Sequence, residues 1–273
     1  CTIANPNYGI ITNIGKAHLE GFGSLKGVIK AKTELYKYLS KNNGCVFYNE
    51  DNNILNEIVK KLKVNKVSYG SSKNASYPGR LISASPFLEF AIKLNVNNEL
   101  SIKTKLIGGY NYENAMAAAA IGQFFHVPIE DIKETIENYE PVNNRSQLVE
   151  KDSNIILCDY YNANPTSMEK ALINFAQLDS KGKKKILIIG EMKELGKDSK
   201  FEHQNIIKLI DDLGFENVLI IGNEYHNFCH PPYMFFDNND KCKEFLLTNK
   251  ITNYIVLIKG SRGAKLEEIF EIL

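Results

Sequence analysis

A cation stands where a helix should be apolar. In residues 24–40, Leu25, Val28, Ile29, Leu35, Tyr36 and Leu39 recur at helical spacing. Winding the segment at about 100° per residue places Lys32 inside their stripe. A buried ammonium is costly unless it is paired or loses its charge. Lys32 therefore either snorkels its amine to water, or sits neutral and adds carbon dioxide, becoming an anion able to hold Mg2+. Just upstream, Asn13-Ile-Gly-Lys-Ala-His18-Leu-Glu20 follows the apolar run 8–12 and offers an imidazole and a carboxylate. His18 is a candidate metal ligand there, its alternative being an ordinary surface histidine.

Further constellations follow along the chain. In Gly108-Gly109-Tyr-Asn111-Tyr-Glu-Asn114, two asparagines three apart put two amides on one face of a helix, each with donor and acceptor. Such a pair suits a purine edge, although Asn111 could simply cap the helix. In Cys158-Asp159-Tyr-Tyr161-Asn162-Ala-Asn164-Pro165, Asn164 and Pro165 have the chemistry of a helix start, which leaves Asp159 and Asn162 for a ligand. Gly190-Glu191-Met-Lys193-Glu194 places a charged loop after a strand. Lys259-Gly-Ser261-Arg262-Gly263 offers two cations and a hydroxyl where a helix begins. That is either a carboxylate or phosphate site or a solvated basic turn.

These groups need elements to position them. Strands at 8–14, 45–49 and 66–69 alternate with helices at 24–40 and 51–62, the pattern of a parallel sheet with helices packed on it. Residues 80–96 and 100–107 read as two extended strands joined by Asn97-Asn98-Glu99, a small antiparallel sheet. Helices at 111–125 and 129–137 follow. Pro141-Val-Asn-Asn-Arg145-Ser is the linker candidate. Beyond it, strands at 155–159, 185–189, 217–221, 234–236 and 254–258 alternate with helices near 165–178, 199–213, 238–248 and 263–272. This half reads as an open α/β domain of Rossmann type, with its working groups at strand carboxyl ends. The expected fold class is α/β: the latter part of a parallel-sheet domain over 1–142, then a Rossmann-like domain over 143–273.

Composition narrows the classes. The chain of 273 residues carries a net charge of +1, with 24% charged and 44% hydrophobic residues, so no global field points to nucleic acid or an acidic membrane. Five scattered cysteines without a CxxC pair argue for reduced thiols in a cytoplasm and against a disulfide framework or structural zinc. No apolar run approaches the roughly 20 residues that span a bilayer. None of the Gly-Lys pairs (Gly15-Lys16, Gly182-Lys183, Gly196-Lys197) completes a phosphate loop, and no GxGxxG supports a dinucleotide oxidoreductase. The chain opens at Cys1 and runs directly into an apolar strand, which reads as a fragment lacking its amino-terminal part.

Taken together, Thr12-Asn-Ile-Gly-Lys-Ala-His-Leu-Glu-Gly-Phe-Gly-Ser24, Ala31-Lys-Thr-Glu-Leu35, Tyr161-Asn-Ala-Asn-Pro-Thr-Ser-Met168, Gly190-Glu-Met-Lys-Glu-Leu-Gly196 with His203, and Lys259-Gly-Ser-Arg-Gly263 resemble the Mur ligases. The resemblance covers nearly the whole chain. It implies the latter part of a central ATPase domain and a complete C-terminal domain. The implied reaction is the ATP-dependent joining of D-alanyl-D-alanine to a UDP-N-acetylmuramoyl-tripeptide through an acyl phosphate, by a cytoplasmic monomer, with ATP and two Mg2+ ions. Residue by residue, it makes Lys32 the carbamylated lysine and His18 a Mg2+ ligand. Asn111 and Asn114 would hold adenine, Asp159 the ribose, and Arg145 and Lys193 the γ-phosphate. Asn162, Asn164, Lys259, Ser261 and Arg262 would place the peptide substrates. Tyr110 and Glu191 depart from the residues relatives often carry there, histidine and aspartate. Without a phosphate loop this chain alone is expected to be inactive. The rival readings are another ligase on the same fold, such as one adding glutamate to folate, and a non-catalytic nucleotide- or peptide-binding fragment.

Overall fold

The computed structural model describes residues 1–95, 97–180 and 182–273, and the chain divides into two compact units. One comprises Cys1–Gly15 and Ser24–Tyr139; the other comprises Lys16–Gly23 and Glu140–Leu273. In chain order the elements of the first are β1 (Tyr8–Ile10), then, past the short α1 (Leu19–Phe22) that belongs with the second unit, α2 (Leu25–Lys41), β2 (Cys45–Asn49), α3 (Asn53–Lys60), β3 (Asn65–Gly70), β4 (Tyr77–Ser83), β5 (Glu89–Asn95), β6 (Asn98–Lys103), α4 (Asn111–Phe124) and α5 (Ile129–Asn138).

These six strands form one sheet in sequence order, parallel from β1 to β4 and antiparallel from β4 to β6. The antiparallel part thus continues the parallel sheet instead of standing apart. The strand expected over 80–96 is two strands, β4 and β5, broken around Pro86, which has no N–H to give a ladder; Val96 lies outside the described residues. The strand expected at 100–107 is β6, which ends four residues earlier, at Lys103, and that expected at 8–14 pairs only over Tyr8–Ile10. Helix α4 owes its close seat to small residues: Ala115, Ala117, Ala119 and Ala120 are buried with Met116 against Phe90, Ile92 and Ile102. A Cβ on Gly79 would come within 2.5 Å of the Met116 sulfur.

The second unit continues with β7 (Gln147–Lys151), β8 (Asn154–Asp159), α6 (Pro165–Gln177), β9 (Lys184–Gly190), α7 (Ser199–Asp212), β10 (Val218–Ile221), β11 (Met234–Phe236), α8 (Asn239–Thr248), β12 (Tyr254–Lys259) and α9 (Glu267–Phe270). Its sheet order is β11-β10-β9-β12-β8-β7, parallel except for the β7–β8 hairpin. The runs Ile186–Ile189, Val218–Ile221 and Ile255–Ile258 are apolar throughout and almost fully buried, as strands covered on both faces must be. Two expectations fail here. Strand β7 was not foreseen, because Gln147-Leu-Val-Glu-Lys is short and mixed and becomes a strand only by pairing with β8. The last helix spans four residues instead of 263–272, because Arg262–Ala264 forms a separate 3-10 turn that Lys265, in the left-handed region, terminates. No helix among the described residues is long and apolar enough to cross a membrane.

Candidate functional site

In the first unit, Lys32 lies on α2, half buried, and its Nζ donates to the Asn13 carbonyl at 3.0 Å. Burial lowers the pKa of this amine from its ordinary value, which raises the fraction of neutral amine at any pH. Asn111 is the first residue of α4, not its cap: the capping position is Tyr110, and the Asn111 side chain turns back to donate from Nδ2 to the Ile107 carbonyl at 2.8 Å. Asn114 Nδ2 donates in turn to Asn111 Oδ1 at 3.3 Å. The two amides are therefore aligned by one chain of bonds. Asn114 is exposed, and its Oδ1 takes no part in that chain.

The second unit gathers the remaining candidates at the carboxyl ends of its parallel strands. The chain beyond β12 approaches β9 so closely that a Cβ on Gly260 would lie 3.1 Å from the Gly190 Cα, while a Cβ on Gly190 would crowd Ala264 and Leu266. The loops beyond are then cross-bonded, with Ser261 donating to the Glu191 carbonyl through its N–H at 3.0 Å and its Oγ at 2.7 Å. Glu191 is the hub. Its carboxylate pairs with Lys193 and accepts the Glu224 N–H at 3.0 Å. Burial alone would raise its pKa, but the Lys193 ammonium and the Glu224 N–H outweigh burial and lower it. The close fit requires Gly222, whose φ is +115° and where a Cβ would meet the Glu191 Cγ at 2.1 Å.

His203, wholly buried on α7, fixes the same loop. Its Nδ1 donates to the Ser199 carbonyl at 2.8 Å and its Nε2 accepts the Met192 N–H at 3.1 Å, so the ring is neutral in a single tautomer. Burial lowers its pKa. The imidazole stacks edge-on against Tyr225, 4.5 Å between centroids.

Asp159 ends β8 and Lys259 ends β12, in register with it. They pair with each other: Lys259 Nζ meets Asp159 Oδ2 at 2.6 Å, with the lysine side chain 1% and the aspartate side chain 16% exposed. Asp159 Oδ1 accepts the Ser146 N–H at 3.2 Å. Asn164 caps α6 through a reciprocal box with Ser167, with Pro165 at the first turn, while Asn162 is exposed. Arg145 stacks on the Tyr161 ring at 3.9 Å, and Arg262 approaches the same ring at 5.6 Å. Among the described residues neither guanidinium has a carboxylate within salt-bridge reach. Tyr161 was not singled out from sequence as a site residue; an exposed aromatic beside an asparagine-rich turn was the available signal.

The segment Lys16–Gly23 is also held within this unit. Lys16 N–H donates to Thr166 Oγ1 at 3.1 Å, its Nζ pairs with the buried Glu202 at 2.6 Å, and His18 Nδ1 bonds the Glu194 carboxylate. Glu20 N–H donates to the Glu194 carbonyl at 3.0 Å. The imidazole expected to hold a metal thus engages a carboxylate. Among the described residues no group of three or more His, Cys, Asp or Glu side chains is arranged to hold a metal ion.

Comparison with known proteins identifies the family. Residues 1–122 match the Mur ligase middle domain, and residues 144–262 match the glutamate ligase domain of Mur ligases. The chain is 31% identical over 280 residues to the UDP-N-acetylmuramoyl-tripeptide–D-alanyl-D-alanine ligase of Buchnera aphidicola subsp. Baizongia pistaciae, a match covering 99% of this chain and 59% of that protein. Its fold superposes on MurF from Acinetobacter baumannii with a TM-score of 0.86 at 24% identity, over 99% of this chain and 60% of that one. For MurF of Thermotoga maritima, solved with ADP, the TM-score is 0.84 at 22% identity, over 100% and 62%. The chain thus spans about three-fifths of the length of the relatives it matches. It carries the middle and glutamate ligase domains of the Mur ligases, and it belongs to that family.

Proposed function

We propose that this chain forms part of a cytoplasmic ATP-dependent ligase that joins D-alanyl-D-alanine to a UDP-N-acetylmuramoyl-tripeptide. The observation that carries the reading is the pair of guanidiniums, Arg145 and Arg262, set on one tyrosine beside the carboxyl ends of β8 and β12 with no carboxylate partner among the described residues. Cations so arranged suit phosphate and carboxylate groups. The relative named above carries this activity in its name, and ADP occupies one structural neighbour.

In the proposed reaction a carboxylate oxygen of the tripeptide attacks the γ-phosphorus of ATP, and ADP leaves. The amine of D-alanyl-D-alanine then adds to the acyl carbon, and the resulting tetrahedral intermediate expels inorganic phosphate and loses a proton. Arg145 and Lys193 bind the transferring phosphoryl group, a role that is almost wholly positioning and charge stabilisation. Asn111 and Asn114 read adenine through the bonding capacity left after their mutual bond. Asp159 accepts from the ribose while keeping its bonds to Lys259 and Ser146. Asn162, Ser261 and Arg262 line the peptide side, whereas Asn164 acts by capping α6.

Mg2+ prefers oxygen ligands and is usually held by one or two carboxylates with waters and substrate phosphates. Lys32 as an amine offers none, but its lowered pKa and backbone partner suit carbamylation, after which it would hold the ion; His18, released from Glu194, is separately a candidate metal ligand. The ion would neutralise repulsion between phosphate and carboxylate. The test is phosphate release from ATP by the full-length protein containing this chain, with UDP-N-acetylmuramoyl-tripeptide. Release that requires D-alanyl-D-alanine supports the reading; release only with folate and glutamate would place the protein with a different ligase of the same fold.

A further inference from the structure

Lys259 belongs, on sequence, among the groups that place the peptide substrate. We infer instead that it is a positioning residue that acts through Asp159 to hold the linker 143–146, and with it Arg145, against Tyr161. Four contacts form a continuous path. Lys259 sits at the end of a strand buried on both faces, its side chain 1% exposed, with its Nζ 2.6 Å from Asp159. An ammonium there reaches little water, and its charge is met by this one carboxylate.

The second oxygen of Asp159 accepts the Ser146 N–H at 3.2 Å. One turn earlier, the Asn144 carbonyl accepts the Tyr161 N–H at 3.3 Å. Between these two anchors lies Arg145, whose guanidinium stacks on the Tyr161 ring at 3.9 Å. The linker needs anchoring, because Asn143, Asn144 and Ser146 all hold left-handed backbone with φ of 60°, 57° and 53°. Asparagine tolerates that region, but serine does so rarely without a compensating bond. The Asp159 bond to Ser146 supplies it, and the Lys259 pair fixes the Asp159 carboxylate in turn.

That Arg145 meets phosphate rests on the function proposed above; the path from Lys259 to Arg145 does not. The experiment therefore uses no ATP or muramoyl substrate. In the 273-residue chain, NMR follows the Arg145 Nε–H, which the Tyr161 ring shifts upfield, and the exchange rate of the Ser146 amide. K259M should lose most of the upfield shift and exchange the Ser146 amide roughly tenfold faster, the equivalent of one hydrogen bond. I258A, a cavity-forming change in the same strand, serves as the destabilised control and should leave the Arg145 signal in place. An unchanged Arg145 signal in K259M, or the same loss in I258A, would overturn the inference.

Should K259M not fold, the native chain decides. A Lys259 Nζ signal that exchanges slowly and does not move when D-alanyl-D-alanine is added supports the assignment. A fast-exchanging Nζ, or one that the dipeptide shifts, returns Lys259 to substrate contact.

Discussion

Two lysines, each at a position where a chain would ordinarily place an apolar residue, are resolved in different ways. Lys32 stays half exposed with a backbone carbonyl as partner, and burial lowers its pKa; Lys259 is enclosed and ion-paired. The expected behaviours differ accordingly. With 13C-bicarbonate, Lys32 should give a carbamate carbonyl signal that K32R abolishes; no signal in the native chain would count against carbamylation at this site. Breaking the Lys259 pair by K259M should cost about 2–3 kcal/mol in denaturant unfolding, because it leaves a partly buried carboxylate without its cation, while the double variant D159N/K259M should recover most of that loss. At Tyr161, Y161A should weaken binding of an inorganic polyphosphate by roughly five- to thirtyfold, from about 0.5–1 kcal/mol for each of the two exposed stacks, and Y161F should leave it unchanged.

At the scale of elements, α7 and the turn after β10 act as a clamp on the loop 191–196. His203 is the part of the clamp that responds to pH. Its folded pKa lies below the ordinary 6.5, so the unfolded chain takes up the proton first. The stability it contributes is complete above about pH 6.5 and declines as the pH falls through that value toward the folded pKa. Unfolding free energy measured against pH should therefore fall on acidification more steeply in the native chain than in H203N, the difference isolating this ring from the other histidines. G222A tests the opposite side of the clamp. It must disturb Glu191 and strain a backbone at φ +115°, and should cost about 1–3 kcal/mol with a lowered thermal midpoint.

At the scale of the molecule, two units each carry their own core. That of the first is built on Phe90, Ile92, Met116 and the α4 alanines, and that of the second on Ile188, Leu219, Val256 and Ile258. Much of this was legible. The runs 186–189, 218–221 and 255–258 are apolar without alternation, and a strand covered on both faces has no other signature. Asn164-Pro165 marked the start of α6 because capping is local chemistry, complete within four residues.

What the sequence by itself determined was whatever depends on near neighbours: helix stripes, strand runs, caps, the order of the motifs and, through them, the family. Tertiary structure alone decided the pairings between distant residues. Asp159 and Lys259 stand a hundred positions apart, and nothing local in either motif says that each is the other's partner. Strand β7 exists only because β8 lies beside it. The Glu191 hub needs Gly222 and Glu224 from the turn after β10 and Ser261 from the turn after β12. Charges and backbone donors find partners wherever the sheet order brings strand ends together, and that order is set by the burial of whole faces, not by any single segment.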